Sequence, residues 1–332
     1  MFMDFVVRHA LHTFGSDRGV EFLYRIGKDL FPSRKSNEDQ FIPLLLYADD
    51  LVLLSTNRTL LHDMIYHLEA WTQRWGLAIS VPKTKILSSS WDTSHEERVF
   101  HIQDFDSFDD HDDTDRDDDP LVVRLRGEQV GSVDHFSYLG SFLSSDGSLD
   151  KEISNRISKA AASFSRLANG LWNNSHISRS VKLCVYRSVV LPILLYGAET
   201  WTALKSHTDR LNVFHMACLR CILCVSRRDK VSNKSILLRC KLSHISTLVQ
   251  LHRLRWFGHV CRMDNRRFAK QSMFATSCGG EKKRGGQAKQ WKSFIRSDLA
   301  AIKQQYSWSS AIQDRSGWRG LLKTHASRNC PS

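Results

Sequence analysis

Residues Phe41 to Ser55 read FIPLLLYADDLVLLS, two short apolar runs with two adjacent aspartates between them. Few patterns restrict a chain this much. Each run has the length of a strand and is too short for a helix of its own. The polar pair between them marks a turn, so the stretch is predicted as a β-hairpin. Two neighbouring carboxylates repel each other, and burying either ion without a partner is costly. A divalent cation removes that cost. Mg²⁺ takes hard oxygen ligands and is held by one or two carboxylates together with substrate phosphates. The alternative is a polar hairpin tip, where Asp is common. Ala-Asp-Asp lacks the glycine that two-residue hairpin turns favour.

The flanking segments extend the pattern. Phe5, Val6, Ala10 and Leu11 suit an amphipathic helix, and Pro32 to Gln40 reads as an exposed turn. After the hairpin, Leu60, Leu61, Met64, Ile65, Leu68, Trp71 and Trp75 share one helix face, with Gly76 as the stop. Leu77 to Val81 and Ile86 to Ser88 read as extended. Leu121 to Val133 has β character, and His135 to Phe142 is a short extended stretch before the turn Ser145-Asp146-Gly147. A long helix comes next. Its apolar face runs from Ile153 through Ile157, Ala161, Phe164 and Ala168 to Leu171, and Lys151, Arg156, Lys159 and Arg166 lie elsewhere around it. Helical periodicity continues from Ser178 to Leu254. A last helix is predicted near Gln290 to Gln305, then a loose Trp-containing tail.

Taken in order, several of these segments resemble one family. Tyr47-Ala48-Asp49-Asp50 between apolar strands resembles the polymerase-site hairpin of reverse transcriptases, most closely those of non-LTR (LINE-like) retrotransposons. Trp71-Thr72-Gln73-Arg74-Trp75-Gly76-Leu77 and Pro82-Lys83-Thr84-Lys85 resemble the next palm motif. His135-Phe136-Ser137-Tyr138-Leu139-Gly140-Ser141 resembles the primer-grip hairpin, and Glu152-Ile153 through Arg156-Ile157 the start of the thumb. Leu191 to Trp201 and Arg253 to Val260 resemble the region after the polymerase.

The resemblance implies an α+β fold: a partial palm with a small antiparallel sheet, a helical thumb and a helical, basic C-terminal region. Residues 1–91 would be partial palm, 92–120 an acidic insert, 121–149 the primer-grip β region, 150–260 thumb and connection, and 261–332 the basic region. The family performs two-metal phosphoryl transfer on an RNA template and DNA primer. Asp49 and Asp50 would hold the Mg²⁺ (or Mn²⁺), and Lys83 would stand near the leaving pyrophosphate or simply in solvent. Tyr138 and Gly140 would set the primer terminus or serve ordinary strand packing. Lys151, Arg156 and Lys159 would face nucleic acid. The family's third carboxylate and its nucleotide-pocket motif lie upstream of the hairpin, and the 46 residues before Tyr47 do not match them; Asp4 sits where the following helix belongs. The expectation is an N-terminally truncated fragment of an RNA-directed DNA polymerase, inactive alone. The alternative is a non-catalytic, nucleic-acid-binding retrotransposon remnant.

Charge bears on the partner. The net charge is +12, yet residues 92–119 hold 13 Asp/Glu and two Arg, so the remainder carries +23. A basic surface of that size suits a polyanion such as nucleic acid. The acidic stretch reads as a disordered loop; as a Ca²⁺ loop it lacks the glycine and terminal glutamate. Lys282, Lys283 and Arg284 are a candidate phosphate-contacting or nuclear-import segment, or a solvated linker. Cys218, Cys221 and Cys224 recur every three residues, which suits either zinc or buried packing in an apolar helix. No apolar run reaches the roughly 18 residues of a membrane span, and no secretory signal is visible. The eight cysteines therefore read as reduced thiols in nucleus or cytoplasm.

Overall fold

Strand β1 (Val20–Tyr24) pairs antiparallel with β2 (Glu38–Ile42), from Val20 opposite Ile42 to Tyr24 opposite Glu38, and with the two-residue strand Thr276–Ser277. The computed structural model describes residues 19–24, 38–88, 123–274, 276–277, 290–303 and 311–328. The expected N-terminal helix and the acidic stretch lie outside the described residues. One strand is new and one expectation changes here. Val20–Tyr24, in the stretch between the expected helix and the expected turn, is a strand. Glu38 to Gln40, read as turn, belong to β2, where the ladder satisfies their backbone groups despite low β propensity.

Pro43 separates β2 from β3 (Leu44–Tyr47), which forms the predicted hairpin with β4 (Asp50–Leu53). Leu51 and Leu53 of β4 pack on Met64 and Leu68 of helix α1 (Arg58–Arg74). That helix is capped by Asn57, whose Oδ1 accepts from the Thr59 and Leu60 amides at 2.6 and 3.4 Å. Beside them on α1, Ile65 meets Val123, Leu125 and Val130 around the small hairpin β5 (Arg124–Leu125) and β6 (Glu128–Gln129). The stretch Leu77 to Val81, predicted as extended, gives way to a single tight turn at Val81–Lys83.

The chain divides into two compact units, residues 1–136 with 274–282 and residues 137–273 with 283–332. The boundary falls within β7 (His135–Tyr138), which pairs with β8 (Ser141–Ser144). The second unit is helical beyond β8: α2 (Asp150–Arg166), α3 (Arg179–Val185), α4 (Leu191–Leu194), α5 (Lys205–Leu223), α6 (Asn233–Cys240) and α7 (Ile245–Cys261), then α8 (Phe268–Phe274), α9 (Trp291–Lys303) and α10 (Arg315–Arg328). The fold is therefore α+β. Helix α2 stops at Arg166, short of the predicted Leu171, and a π-helical turn, Ala168–Trp172, succeeds it. The widened turn lets Trp172 fold back, stacked on Phe164 with centroids 4.6 Å apart and donating Nε1–H to the Phe164 carbonyl at 2.7 Å. Trp172, Tyr186, Leu194, Trp201, Leu211, Leu219, Ile236 and Ile245 form one continuous core.

A hydrogen-bonded polar pair sits in this core. His215 is fully buried and shares a 2.7 Å hydrogen bond between Nδ1 and the Tyr186 hydroxyl, while its Nε2 is buried with no hydrogen-bond partner. Burial pushes the His215 imidazole down to about 4 and raises Tyr186 well above its usual range.

The tail expected to be loose is helix α10, and its Trp318 explains the change. That indole is 2% exposed and donates Nε1–H to the Leu254 carbonyl of α7 at 3.0 Å. It fits because position 258 is glycine: a Cβ there would lie 2.2 Å from Trp318 Nε1 and 2.5 Å from Cδ1. Helix α9 is fastened by Arg253 of α7, whose Nε donates to Asp298 at 3.0 Å and whose guanidinium lies 5.1 Å from the Phe294 ring centroid.

This packing can be tested through stability. Gly258→Ala should destabilise the chain in urea unfolding by about 1–3 kcal/mol through overpacking, and Trp318→Ala by about 3–5 kcal/mol through a cavity. Both changes should loosen α10 first, visible as faster amide exchange there. The imidazole of His215 stays neutral in the fold down to about pH 4, whereas an unfolded one protonates near 6.5. Stability should therefore fall as pH drops from 6.5 toward 4, by up to about 3 kcal/mol from this group, and level off below. The double variant Tyr186→Phe, His215→Phe removes both polar atoms together and should lose that share of the pH dependence.

Candidate functional site

The β3–β4 hairpin turns through Ala48 and Asp49, with Tyr47 opposite Asp50 in register. Ala48 takes a φ of 55°, a left-handed value normally given to glycine. Because Leu51 and Leu53 face α1, pleat alternation sends Asp50 and Val52 to the other face. Asp49 occupies the turn itself. Both carboxylates are exposed, as is Tyr47 at 64%. Lys83 is exposed at the end of the Val81–Lys83 turn of the same unit. Two adjacent hard-oxygen donors suit Mg²⁺ in chemistry. Among the described residues, however, no three His, Cys, Asp or Glu side chains group as a metal site. Among the described residues the two aspartates therefore have no third ligand grouped with them, and no catalytic step through an ion is derived from them.

The second unit holds a different construction. The β7–β8 turn is Leu139-Gly140, with φ values of 48° and 82°, the pair of left-handed residues that a tight type I′ turn requires. Three side chains seize this turn. Tyr196 donates its hydroxyl to the Leu139 carbonyl at 3.0 Å. Arg156 donates from Nη2 to the Gly140 carbonyl and, at 3.3 Å, to Ser141 Oγ. Glu152 accepts from the Phe142 amide at 2.8 Å and from Arg156 Nε at 2.6 Å. The guanidinium also lies 4.5 Å from the Tyr196 ring centroid. Spacing of four along α2 brings Glu152 and Arg156 onto one face, one turn apart. Tyr138 is half-buried in β7 and Gly140 is exposed at the turn.

Arg156 thus corrects one expectation. Read as a nucleic-acid contact, it is 4% exposed and faces the turn, because a buried Glu152 needs its charge. Lys151 and Lys159, by contrast, are exposed on the outer side of α2, as is Arg166. Lys282, Lys283 and Arg284 lie outside the described residues. The clamp residue missed in the sequence is Tyr196. Its Tyr-Gly dipeptide was visible, but its reach to Leu139 spans 57 positions and leaves no local signal.

The base of α2 carries a second polar cluster. Asp150 accepts from Arg210 Nη1 at 3.0 Å and lies 3.3 Å from His207 Nε2. The Ser148 hydroxyl bonds it at 2.8 Å, and with the charges of His207 and Arg210 this holds the Asp150 carboxyl below its usual range. Of the three regularly spaced cysteines, Cys218 is buried in α5, with its thiol pushed up to about 12 by burial, while Cys221 and Cys224 are exposed. They form no metal group among the described residues.

No family model and no solved structure matches the chain. It is similar to an uncharacterized transposon-derived protein of Caenorhabditis elegans. The two are 22% identical over 297 residues, which cover 86% of this chain and 96% of that protein. The matched length exceeds either compact unit, so the similarity runs through both hairpins' units. Among the described residues no helix is long and apolar enough to cross a membrane.

The clamp can be tested apart from any activity. Arg156→Ala leaves the Glu152 carboxylate buried and unpaired and should lower stability by about 3–5 kcal/mol in urea. Tyr196→Phe removes one hydrogen bond and should cost about 1 kcal/mol, while Lys159→Glu on the exposed face should stay within about 0.5 kcal/mol of wild type.

Proposed function

We propose that this chain is a transposon-derived, nucleic-acid-binding protein of the reverse-transcriptase type, which does not extend primers by itself. The observation that carries the reading is the YADD hairpin: Asp49 in its turn and Asp50 on the face away from α1, both open to solvent. A hairpin tip needs one turn-forming Asp at most. A second in the strand, opposite an exposed tyrosine, suits a surface that meets a cation and phosphates. The similarity to a transposon-derived protein over nearly its full length supports the origin. The clamped Leu139-Gly140 turn supports a primer-grip role for the second hairpin, since a turn that positions a strand end must itself be held still.

In this reading Asp49 and Asp50 would contribute ligands for Mg²⁺ or Mn²⁺, which in the family supplies charge neutralisation at the transferring phosphoryl group. Lys83 would sit beside that charge. Lys151 and Lys159 would contact the backbones of RNA template and DNA primer from the outer face of α2. With two carboxylates and no third ligand grouped among the described residues, this reading expects weak metal binding and no extension.

The purified chain should bind an RNA–DNA primer–template in fluorescence anisotropy, with affinity falling steeply with salt. Each neutralised phosphate contributes about −0.7 to −0.9 to the log–log slope, so a slope of about −3 or steeper is expected. Lys151→Glu with Lys159→Glu should flatten it by roughly 1–2. Primer extension with Mg²⁺ or Mn²⁺ should stay at background. An extension signal lost in Asp49→Asn would show that the ligand set is complete after all, and binding indifferent to salt would remove the nucleic-acid reading.

A further inference from the structure

The α5–α6 corner has a notch of about 270 Å³ that the hairpins do not explain. Asn212, Val213, Met216, Ala217 and Arg220 of α5 line one side; Arg227, in the short turn Arg227–Asp229, and Asn233, the first residue of α6, line the other. The lining holds two arginines and no carboxylate. Arg220 is anchored, its Nη2 donating to the Val231 carbonyl at 2.7 Å and to Asn233 Oδ1 at 2.9 Å. Its other nitrogens, and the whole exposed guanidinium of Arg227, make no hydrogen bond to described residues. Asp229 accepts from the Ser226 amide at 2.7 Å, so the turn that carries Arg227 is held in shape. The surroundings reinforce the field. Residues 226–241 contain six Lys or Arg and one Asp.

The apolar part of the lining is as informative as the charge. Val213 is 63% exposed and Ala217 is exposed, on a helix whose opposite face lies in the core. A phosphate needs only the arginines. An aromatic base or a sugar ring uses an apolar wall, and amides offer its edges donors and acceptors. Asn212 Oδ1 is buried without a hydrogen-bond partner, so a turn of that side chain toward the notch would gain it a donor from a ligand. The volume is near the lower end of small-ligand sites, which suits one nucleotide rather than a duplex.

We infer that this notch seats one nucleotide of a single-stranded nucleic acid. The phosphate bonds to Arg227 and the free edge of Arg220, and the base or ribose lies against Val213 and Ala217. The choice of a nucleic-acid strand rests on the function proposed above; the notch's chemistry stands by itself.

The test uses the full chain and a short fluorescent single-stranded oligonucleotide, RNA and DNA in turn, in anisotropy titrations across salt. Arg227→Glu and Val213→Asn change exposed side chains, and circular dichroism checks that the fold is kept. Arg239→Glu, on the exposed surface of α6 outside the notch, controls for the same charge change. Arg227→Glu should weaken binding at least about tenfold and flatten the salt slope by roughly 0.7–1. Val213→Asn, which adds no charge, should weaken binding roughly three- to tenfold and leave the slope unchanged. Arg239→Glu should stay within about threefold of wild type. Equal losses in Arg227→Glu and Arg239→Glu, with Val213→Asn silent, would overturn the notch while the nucleic-acid reading stands. No oligonucleotide binding by the wild-type chain would overturn both. Displacement by a poly-glutamate peptide as effective as by the unlabelled oligonucleotide would replace the strand with an acidic peptide and overturn the assignment.

Discussion

The buried pair of Glu152 and Arg156 is the contact on which the second unit's hairpin depends. Taking two charges out of water is expensive, and their mutual attraction offsets that expense only when the remaining lone pairs and protons are also satisfied. Here they are satisfied by the β7–β8 turn. Glu152 uses its second oxygen on the Phe142 amide, and Arg156 its Nη2 on Gly140 and Ser141. The turn is thereby a required part of the ion pair, as the ion pair is of the turn. Tyr196 closes the group from α4's far end, with its ring against the guanidinium and its hydroxyl on Leu139. Such a network favours one arrangement of strand and helix over the slipped registers that a four-residue hairpin could otherwise sample.

Much of the fold was legible because its elements obey short-range rules. The two short apolar runs of Phe41 to Ser55 and the period-3.6 pattern of Leu60 to Trp71 are each local, and both the hairpin and the helix formed as read. The features that escaped the sequence depend on partners far along the chain. Glu38-Asp39-Gln40 has the composition of a turn and becomes strand because β1 offers a ladder. Trp318 looks like a loose tail residue until Gly258, 60 positions earlier, is seen to leave room for it. The same distinction separates the candidate sites. The adjacency of Asp49 and Asp50 is written in the chain, whereas Arg156 changes from a surface cation into a structural one only when Glu152 and the Gly140 carbonyl close around it.

The two π-helical turns, Ala168–Trp172 and Tyr186–Val190, explain why helical periodicity alone misjudged this unit. Each inserts a residue and rotates the helix downstream of it, so a stripe read at 3.6 residues per turn drifts off the core. The first ends α2 early and turns Trp172 onto Phe164. The second begins at Tyr186 and carries the hydroxyl that meets His215 in the core. Tyr186 thus meets His215, which lies within the regular helix α5, and the cost of burying this pair is visible in the unpartnered Nε2 and the depressed imidazole pKa.

In the proposed reading, binding and catalysis would draw on different residues of this chain, and that separation has a physical basis. Affinity for a polyanion comes from many exposed cations, each adding a small, salt-sensitive increment, so it survives the loss of any one. Metal-dependent phosphoryl transfer comes from a few carboxylates held around one point, and it fails when one ligand is missing. The exposed lysines of α2 and the arginines of the α5–α6 corner belong to the second unit; Asp49 and Asp50 belong to the first. Selection could therefore relax on the carboxylate geometry without loosening the cationic surface. A chain in that position keeps its YADD hairpin for as long as the hairpin packs well on α1, since Leu51 and Leu53 serve the core whatever the aspartates hold.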